Sequence, residues 1–276
     1  VGFVNLIGNH FDGTPNIQNS VAVIQNGRII ATSAKVLLAN GGHHDDRHYF
    51  TAGEHPKVVK CVTADGFQLN IGLAICEDTW SQDHPRDIVR ELKQDGAEII
   101  VAINQSYFYY GKQEKRRKMY QKHNLNNRIP IVSVNSIGVG DIGKDFMIYD
   151  GGSMVIGDGG DTIVMCARFA PDFKVAEIHK KSYERRLVAG KYEEIYDALV
   201  FSVKHIFHDL GLKNGQVHVS GGVDSSVVLP IVVEALGKDN VIAISNPSHY
   251  NGTVTKNNAF DLCNALNVAL YWNNME

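Results

Sequence analysis

Two short stretches of this 276-residue sequence hold residue types that can do chemistry. The first is Ser220–Ser226, SGGVDSS. Gly221 and Gly222 permit a tight turn and bring bare backbone N–H groups toward a ligand. A helix starting near Asp224 adds its positive end, so the loop favours a phosphate anion. Ser220, Ser225 and Ser226 add hydroxyl donors. The Asp224 carboxylate repels a phosphate unless a cation lies between them, and Mg²⁺ is the economical choice. The plain alternative is a glycine-rich turn with Asp224 as a helix cap. The second stretch is Cys76-Glu77-Asp78-Thr79-Trp80. A cysteine closing an apolar strand is well placed to attack a carbonyl, provided a base or cation helps form its thiolate. Lys35, in SAKVLL, is the candidate for that charge and for stabilising an oxyanion. Taken alone, Cys76 is more simply a buried structural cysteine.

Other patterns fail their context. His43, His44, Asp45, Asp46 and His48 resemble a metal cluster, but adjacent histidines on one loop seldom converge, so a polar loop is expected. Gly138–Gly143 matches GxGxxG, yet strand-like KDFMIYD follows where a dinucleotide loop needs a helix. Lys115–Lys118 is a basic run expected on a solvated helix face. No Walker-type GxxxxGK[ST] loop is present.

The elements that must carry these residues alternate. Hairpins are expected at Asn26-Gly27, joining Ser20–Gln25 to Arg28–Thr32, and at Asp158-Gly159-Gly160. Strands are expected at Phe67–Cys76, Glu98–Asn104 and Ile131–Asn135, and helices at Pro85–Gln94 and Gln113–Asn126. Polar, basic HKKSYERRLVAGK reads as a linker. Beyond it come a helix over Tyr192–Leu210, a strand Gln216–Val219 and a helix Asp224–Leu236. A strand Val241–Ser245 and a helix Thr255–Leu266 complete a βαβα unit of nucleotide-binding type. Pro230 inside one of these helices removes the bond to the Ser226 carbonyl.

Composition bounds the function. An apolar fraction of 44% and a charged fraction of 21% suit a globular protein, and the alternation of strands and helices makes its fold α/β. A net charge of -3 offers no general attraction to nucleic acid or to anionic membrane. No apolar run is long enough to span a bilayer, and VGFVNLIG is not a signal peptide. Cys61, Cys76, Cys166 and Cys263 form no CxxC pair, which favours a reducing, cytoplasmic compartment.

SGGVDSS resembles the signature of the PP-loop ATP pyrophosphatases. The resemblance implies binding of the β,γ-pyrophosphate of ATP and its release on forming an acyl-adenylate. Asn26–Ile30, Lys35, Arg47–Phe50, Gly53, Leu73–Trp80, Asn104–Ser106 and Asp150–Ser153 occur in an order that resembles the nitrilase-like glutaminase domain of the glutamine-dependent NAD synthetases. That resemblance covers essentially the whole chain. It implies an α/β fold: a nitrilase-like αββα sandwich, N-terminally incomplete, then the first βα units of a Rossmann-like PP-loop domain, C-terminally incomplete. The implied division is a glutaminase domain over 1–178, a linker over 179–191 and a synthetase domain over 192–276. It implies Cys76 as nucleophile and Lys35 as catalytic lysine, with Glu77, Ser106 and Lys112 holding glutamine. ATP would lie on His218, Val219, Ser220, Gly221, Gly222, Val223, Asp224 and Ser225, with Mg²⁺ at Asp224. The implied substrates are L-glutamine, ATP and deamido-NAD, and a homo-oligomer is expected. The sequence departs from the family pattern in three places. Gly41 stands where a glutamine-contacting tyrosine is usual, Ala34 where an arginine precedes the lysine, and the usual upstream glutamate has no counterpart, Asp12 being the first acidic residue. Three rivals stay open: a free-standing nitrilase-type amidase, a PP-loop enzyme of other specificity, and an inactive fragment.

Overall fold

The computed structural model describes residues 1–41, 44–141, 143, 145–179 and 190–275. It divides into two compact units, Val1–Ile137 with Tyr149–Leu187, and Gly138–Ile148 with Val188–Glu276.

The first unit opens with β1 (Gly2–Asn9), β2 (Pro15–Gln25) and β3 (Arg28–Ala34), an antiparallel sheet. Asn26 and Gly27, with φ of 50° and 74°, make the expected turn between β2 and β3. The short β4 (Asn40–Gly41), β5 (His44–Asp45) and α1 (Asp46–Tyr49) follow, replacing the uniform loop expected there. Then come β6 (Lys57–Val62), β7 (Gln68–Ile75), α2 (Ile88–Gln94), β8 (Ile99–Asn104), α3 (Lys112–Asn127) and β9 (Ile131–Asn135). The chain then runs through the hairpin β10 (Ile137–Asp141) and β11 (Phe146–Asp150), most of which belongs to the second unit, before β12 (Met154–Ile156) and β13 (Thr162–Met165) close a six-stranded sheet ordered β13-β12-β9-β8-β7-β6. Its centre, β7-β8-β9, is parallel, because helices carry the chain back between these strands.

Alternation along β7 builds the layers. Ala74 faces a core made with Ile88, Val89 and Leu92 of α2 and Met119 and Tyr120 of α3. Leu73 and Ile75 face Val21 and Val59 in a second core under the small sheet. The unit is therefore helix on sheet on sheet. A side chain at Gly72 would lie 2.7 Å from Ile100 Cδ1 of β8 and 3.2 Å from Leu92 Cβ of α2, so glycine lets both pack closely against β7. Asp87 caps α2 by accepting from the Arg90 amide, which starts that helix later than its sequence suggests.

In the second unit α4 (Lys191–Asp209) precedes β14 (Gly215–His218), α5 (Val223–Leu236), β15 (Val241–Ser245), α6 (Thr253–Leu266) and β16 (Ala269–Trp272). The three strands are parallel in the order β14-β15-β16. Val217, Val219, Leu229, Ala243, Ala259 and Cys263 form the core. Pro230 lies within α5, which runs on to Gly237. The expected linker falls mostly on 180–189, outside the described residues. Among the described residues, no helix is long and apolar enough to cross a membrane.

Candidate active site

Cys76 sits at the first residue past β7, where the chain leaves the sheet in a single turn. Its φ is 45°, a left-handed conformation that a side chain adopts at a cost of about 1 kcal/mol or more. Neighbours enforce it. The Thr79 hydroxyl donates to the Cys76 carbonyl at 2.8 Å, and the His123 ring bonds the Thr79 carbonyl at 2.8 Å. The Ile75 amide donates to Asp78 Oδ2 at 2.9 Å. The turn thus projects a half-buried thiol from the strand's end.

Lys35 follows β3 and is 4% exposed. Its Nζ donates to Asp46 Oδ2 at 2.5 Å, and the same oxygen accepts from the Ala39 amide at 3.1 Å. Burial works to lower the Lys35 pKa. The facing Cys76 and the Asp46 carboxylate outweigh it, so the ammonium is held above its ordinary value. Burial raises the Cys76 thiol, Lys35 and Lys112 pull it down, and the balance stays above an ordinary thiol. A carboxylate-anchored lysine therefore stands as the cation for a thiolate that burial disfavours.

Glu77 points to His84, with Oε1 2.9 Å from Nε2. Lys112 opens α3, with Nζ 4.7 Å from the ring centre of Trp80, 4.8 Å from Tyr109 and 5.4 Å from Tyr107. Burial is the leading reason its pKa falls below the ordinary lysine value. His44 lies 5.0 Å from the Tyr107 ring and is also shifted down by burial, then by Lys35. Ser106 is 4% exposed, and its amide donates to Asn135 Oδ1 at 2.9 Å. Behind it, Arg116 reaches both oxygens of the buried Asp150, at 2.8 and 2.9 Å. The structure thus gathers Cys76, Lys35, Glu77 and Lys112 into one electrostatic neighbourhood and puts Ser106 on the strand-end next to it. Asp46 comes from the loop expected only to be polar, where the family resemblance offers it as a supporting acid; His44, Asp78 and the aromatic box around Lys112 are parts that the residue pattern left unranked. Only the acidic run after the cysteine hinted at Asp78. Among the described residues no group of histidine, cysteine or carboxylate side chains could hold a metal by itself. His43 of the suspected cluster lies outside the described residues.

In the second unit the SGGVDSS loop joins β14 to α5 as expected. Gly221 has φ 79°, and a β-carbon there would sit 1.8 Å from the Thr255 carbonyl oxygen, so only glycine fits. Gly222 is the N-cap of α5, and no side chain caps that helix. The Gly222 amide donates to Ser220 Oγ at 3.2 Å, and Ser225 and Ser226 donate to the Gly222 carbonyl at 3.1 and 2.8 Å. Asp224 is exposed in the first turn. At the C-terminal ends of β14 and β15 lies a cavity of about 120 Å³ lined by His218, Ser220, Ser245, Asn246 and Lys256, among others. His218 is held on both ring nitrogens, by Asn246 at 2.8 Å and Gln216 at 2.8 Å. This is where parallel α/β units accept nucleotides.

A thiol on a strand-end turn beside a buried lysine, in a layered α/β unit, is the design of the nitrilase-like class. The carbon-nitrogen hydrolase family model matches residues 3–186, and the chain belongs to that family. The NAD synthase model matches residues 195–275, so the second unit is of that kind. The glutamine-dependent NAD(+) synthetase of Xanthomonas campestris pv. campestris (strain 8004) is 31% identical over 277 residues, covering 98% of this chain and 48% of that protein. That of Synechocystis sp. (strain ATCC 27184 / PCC 6803 / Kazusa) is 29% identical over 254 residues, covering 87% of this chain and 44% of that protein. A glutamine-dependent NAD+ synthetase structure from Acinetobacter baumannii, in complex with adenosine diphosphate, has a TM-score of 0.83 and 26% identity, covering 99% of this chain and 49% of its own. The chain spans about half the length of the curated relatives it matches.

Proposed function

We propose that the chain acts in glutamine-dependent NAD(+) synthesis, with the first unit releasing ammonia from glutamine and the second activating deamido-NAD with ATP. The observation that carries the first half is the Lys35–Asp46 pair beside Cys76 on its left-handed turn. The thiolate attacks the side-chain carboxamide carbon of glutamine, and Lys35 steadies the charge that forms. Collapse breaks the C–N bond, and the nitrogen leaves as ammonia with the thiol's proton. Water then cleaves the thioester to give glutamate. Glu77 and Lys112 carry the charges suited to a zwitterionic amino acid, and Ser106 adds a hydroxyl.

The second half rests on the uncapped α5 and the serine-lined loop before it. His218 to Ser225 line the phosphate chain of ATP. Asp224 and the serine hydroxyls are hard oxygen donors suited to Mg²⁺. Among the described residues no cage of protein ligands could hold the ion alone, so these groups would hold it together with the phosphates of ATP. Mg²⁺ neutralises charge on the phosphates when bound. Adenylation makes the carboxylate of deamido-NAD an acyl donor, because AMP leaves far more readily than oxide, and ammonia then forms the amide. The proposed division keeps the glutaminase domain at 1–178 and the synthetase domain at 192–276. We place the reaction in the cytoplasm, in keeping with four cysteines that form no CxxC pair, and in an assembly of identical chains, which sedimentation tests.

Glutamine incubated with the chain should yield glutamate, and the Cys76→Ala variant should yield none. A folded wild-type chain that binds ATP but leaves glutamine intact would overturn the proposal for the first unit.

A further inference from the structure

Asp78 is 1% exposed and has no part in the chemistry above. Its Oδ1 accepts from the Val36 and Leu37 amides at 3.0 and 2.8 Å. Its Oδ2 accepts from the Ile75 amide at 2.9 Å. Val36 directly follows Lys35, and Ile75 directly precedes Cys76. One carboxylate therefore ties the turn that carries the lysine to the turn that carries the thiol, across 41 residues of sequence. Only a carboxylate offers two oxygens that are both pure acceptors, which three converging amides require.

Keeping it there is costly. Burial pushes Asp78 up to about 6, against the pull of the Leu37 and Ile75 amides, of Lys35 and of the Val36 amide. The other charge that feels it is Arg86. The sign follows from linkage: the folded pKa lies above the ordinary 3.8, so the ionised form costs the fold. This group's contribution to stability is largest below the ordinary value and is lost as pH rises through about 6.

We propose that Asp78 is a positioning residue that clamps the Lys35 and Cys76 turns together and so sets how the ammonium faces the sulfur. This rests on the roles given to Cys76 and Lys35 above. Asp78→Asn keeps the volume but turns one acceptor into a donor that faces an amide. Two readouts test it: alkylation of Cys76 by iodoacetamide, mapped by peptide mass spectrometry, and glutamine hydrolysis resolved into kcat and KM. In a variant with wild-type circular dichroism, alkylation and kcat should both fall by about 10- to 100-fold, as small misplacements of reacting groups do, with KM nearly unchanged. Wild-type alkylation and kcat in that variant overturn the proposal. If the wild-type chain alkylates faster than the variant but neither turns over glutamine, the clamp stands and the glutaminase role falls. If the variant does not fold, hydrogen exchange on the wild-type chain decides. Below a pH of about 6 the acid's hydroxyl oxygen becomes a poor acceptor, so amides on at least one side of the clamp should lose protection after correction for intrinsic rates. The Ile100 and Ala102 amides of β8 should keep theirs. Protection of Val36, Leu37 and Ile75 that is unchanged through that range overturns the proposal.

Discussion

At the scale of single residues, Cys76 and Lys35 are electrostatically coupled in opposite directions. Burial lifts the thiol, and the lysine restrains that lift. Lys35→Met therefore removes the restraint and should raise the thiol further. At a fixed neutral pH the thiolate fraction should fall about tenfold for each unit of added shift. Iodoacetamide rates followed against pH would show the inflection moving to higher pH. An inflection that stays put, or moves down, contradicts the coupling. The same substitution leaves Asp46 without its cation. A buried carboxylate that loses its partner costs about 3–5 kcal/mol, less at a site as wet as this one, where Asp46 is 16% exposed. A lower melting temperature should accompany the slower alkylation.

At the scale of elements, the strand-to-helix joints carry the chemistry because they expose chain ends that regular structure leaves free. The β14–α5 joint is the sharper test. Gly221→Ala puts a β-carbon 1.8 Å from the Thr255 carbonyl oxygen at a φ of 79°. Both the clash and the left-handed backbone penalise it, by about 1–3 kcal/mol or more. The loop or the start of α6 must shift, so ATP titrated calorimetrically should bind much more weakly. Ala in place of Gly222, whose φ is −83°, meets nothing but Ser220 Oγ at 3.3 Å and should be milder. Equal losses at the two glycines would refute this account of the loop. The β7 joint differs in kind. It has a cysteine where the backbone asks for glycine, and the strain is held by Asp78, Thr79 and His123.

At the scale of the whole molecule, the proposed function divides its chemistry between the two units, so each half should fail separately. Under the proposed function, Cys76→Ala should abolish glutamine-driven NAD formation and spare the ammonia-driven reaction. Loss of both in a folded variant would sink the role given to Cys76. Asp224→Ala should do the reverse, weakening use of Mg·ATP while glutamine hydrolysis persists. Unchanged ATP kinetics would remove the metal role.

The sequence by itself determined the alternation of strands and helices, both hairpin turns and the glycine-rich loop between β14 and α5, and it marked Cys76 at a strand's end. Each depends on local rules: Asn-Gly at a turn, two glycines before a helix, an apolar strand ending in a thiol. What the sequence could not rank was what lies next to what. Asp78 looks like an ordinary polar residue in the chain, and Asp46 stands out only by resemblance to the family's supporting acid. Only folding brings Asp46 onto Lys35 and sets Asp78 among three amides from two distant segments. Trp80, Tyr107 and Tyr109 likewise meet around Lys112 only in three dimensions. The basic run Lys115–Lys118 misleads for the same reason: it is expected on a solvated face, yet Arg116 is buried against Asp150 on the inward side of α3. Local propensity and spacing fix the elements, because their hydrogen bonds close within a few residues. Burial and charge pairing belong to long-range contacts, so only the tertiary structure decided which carboxylates serve the site.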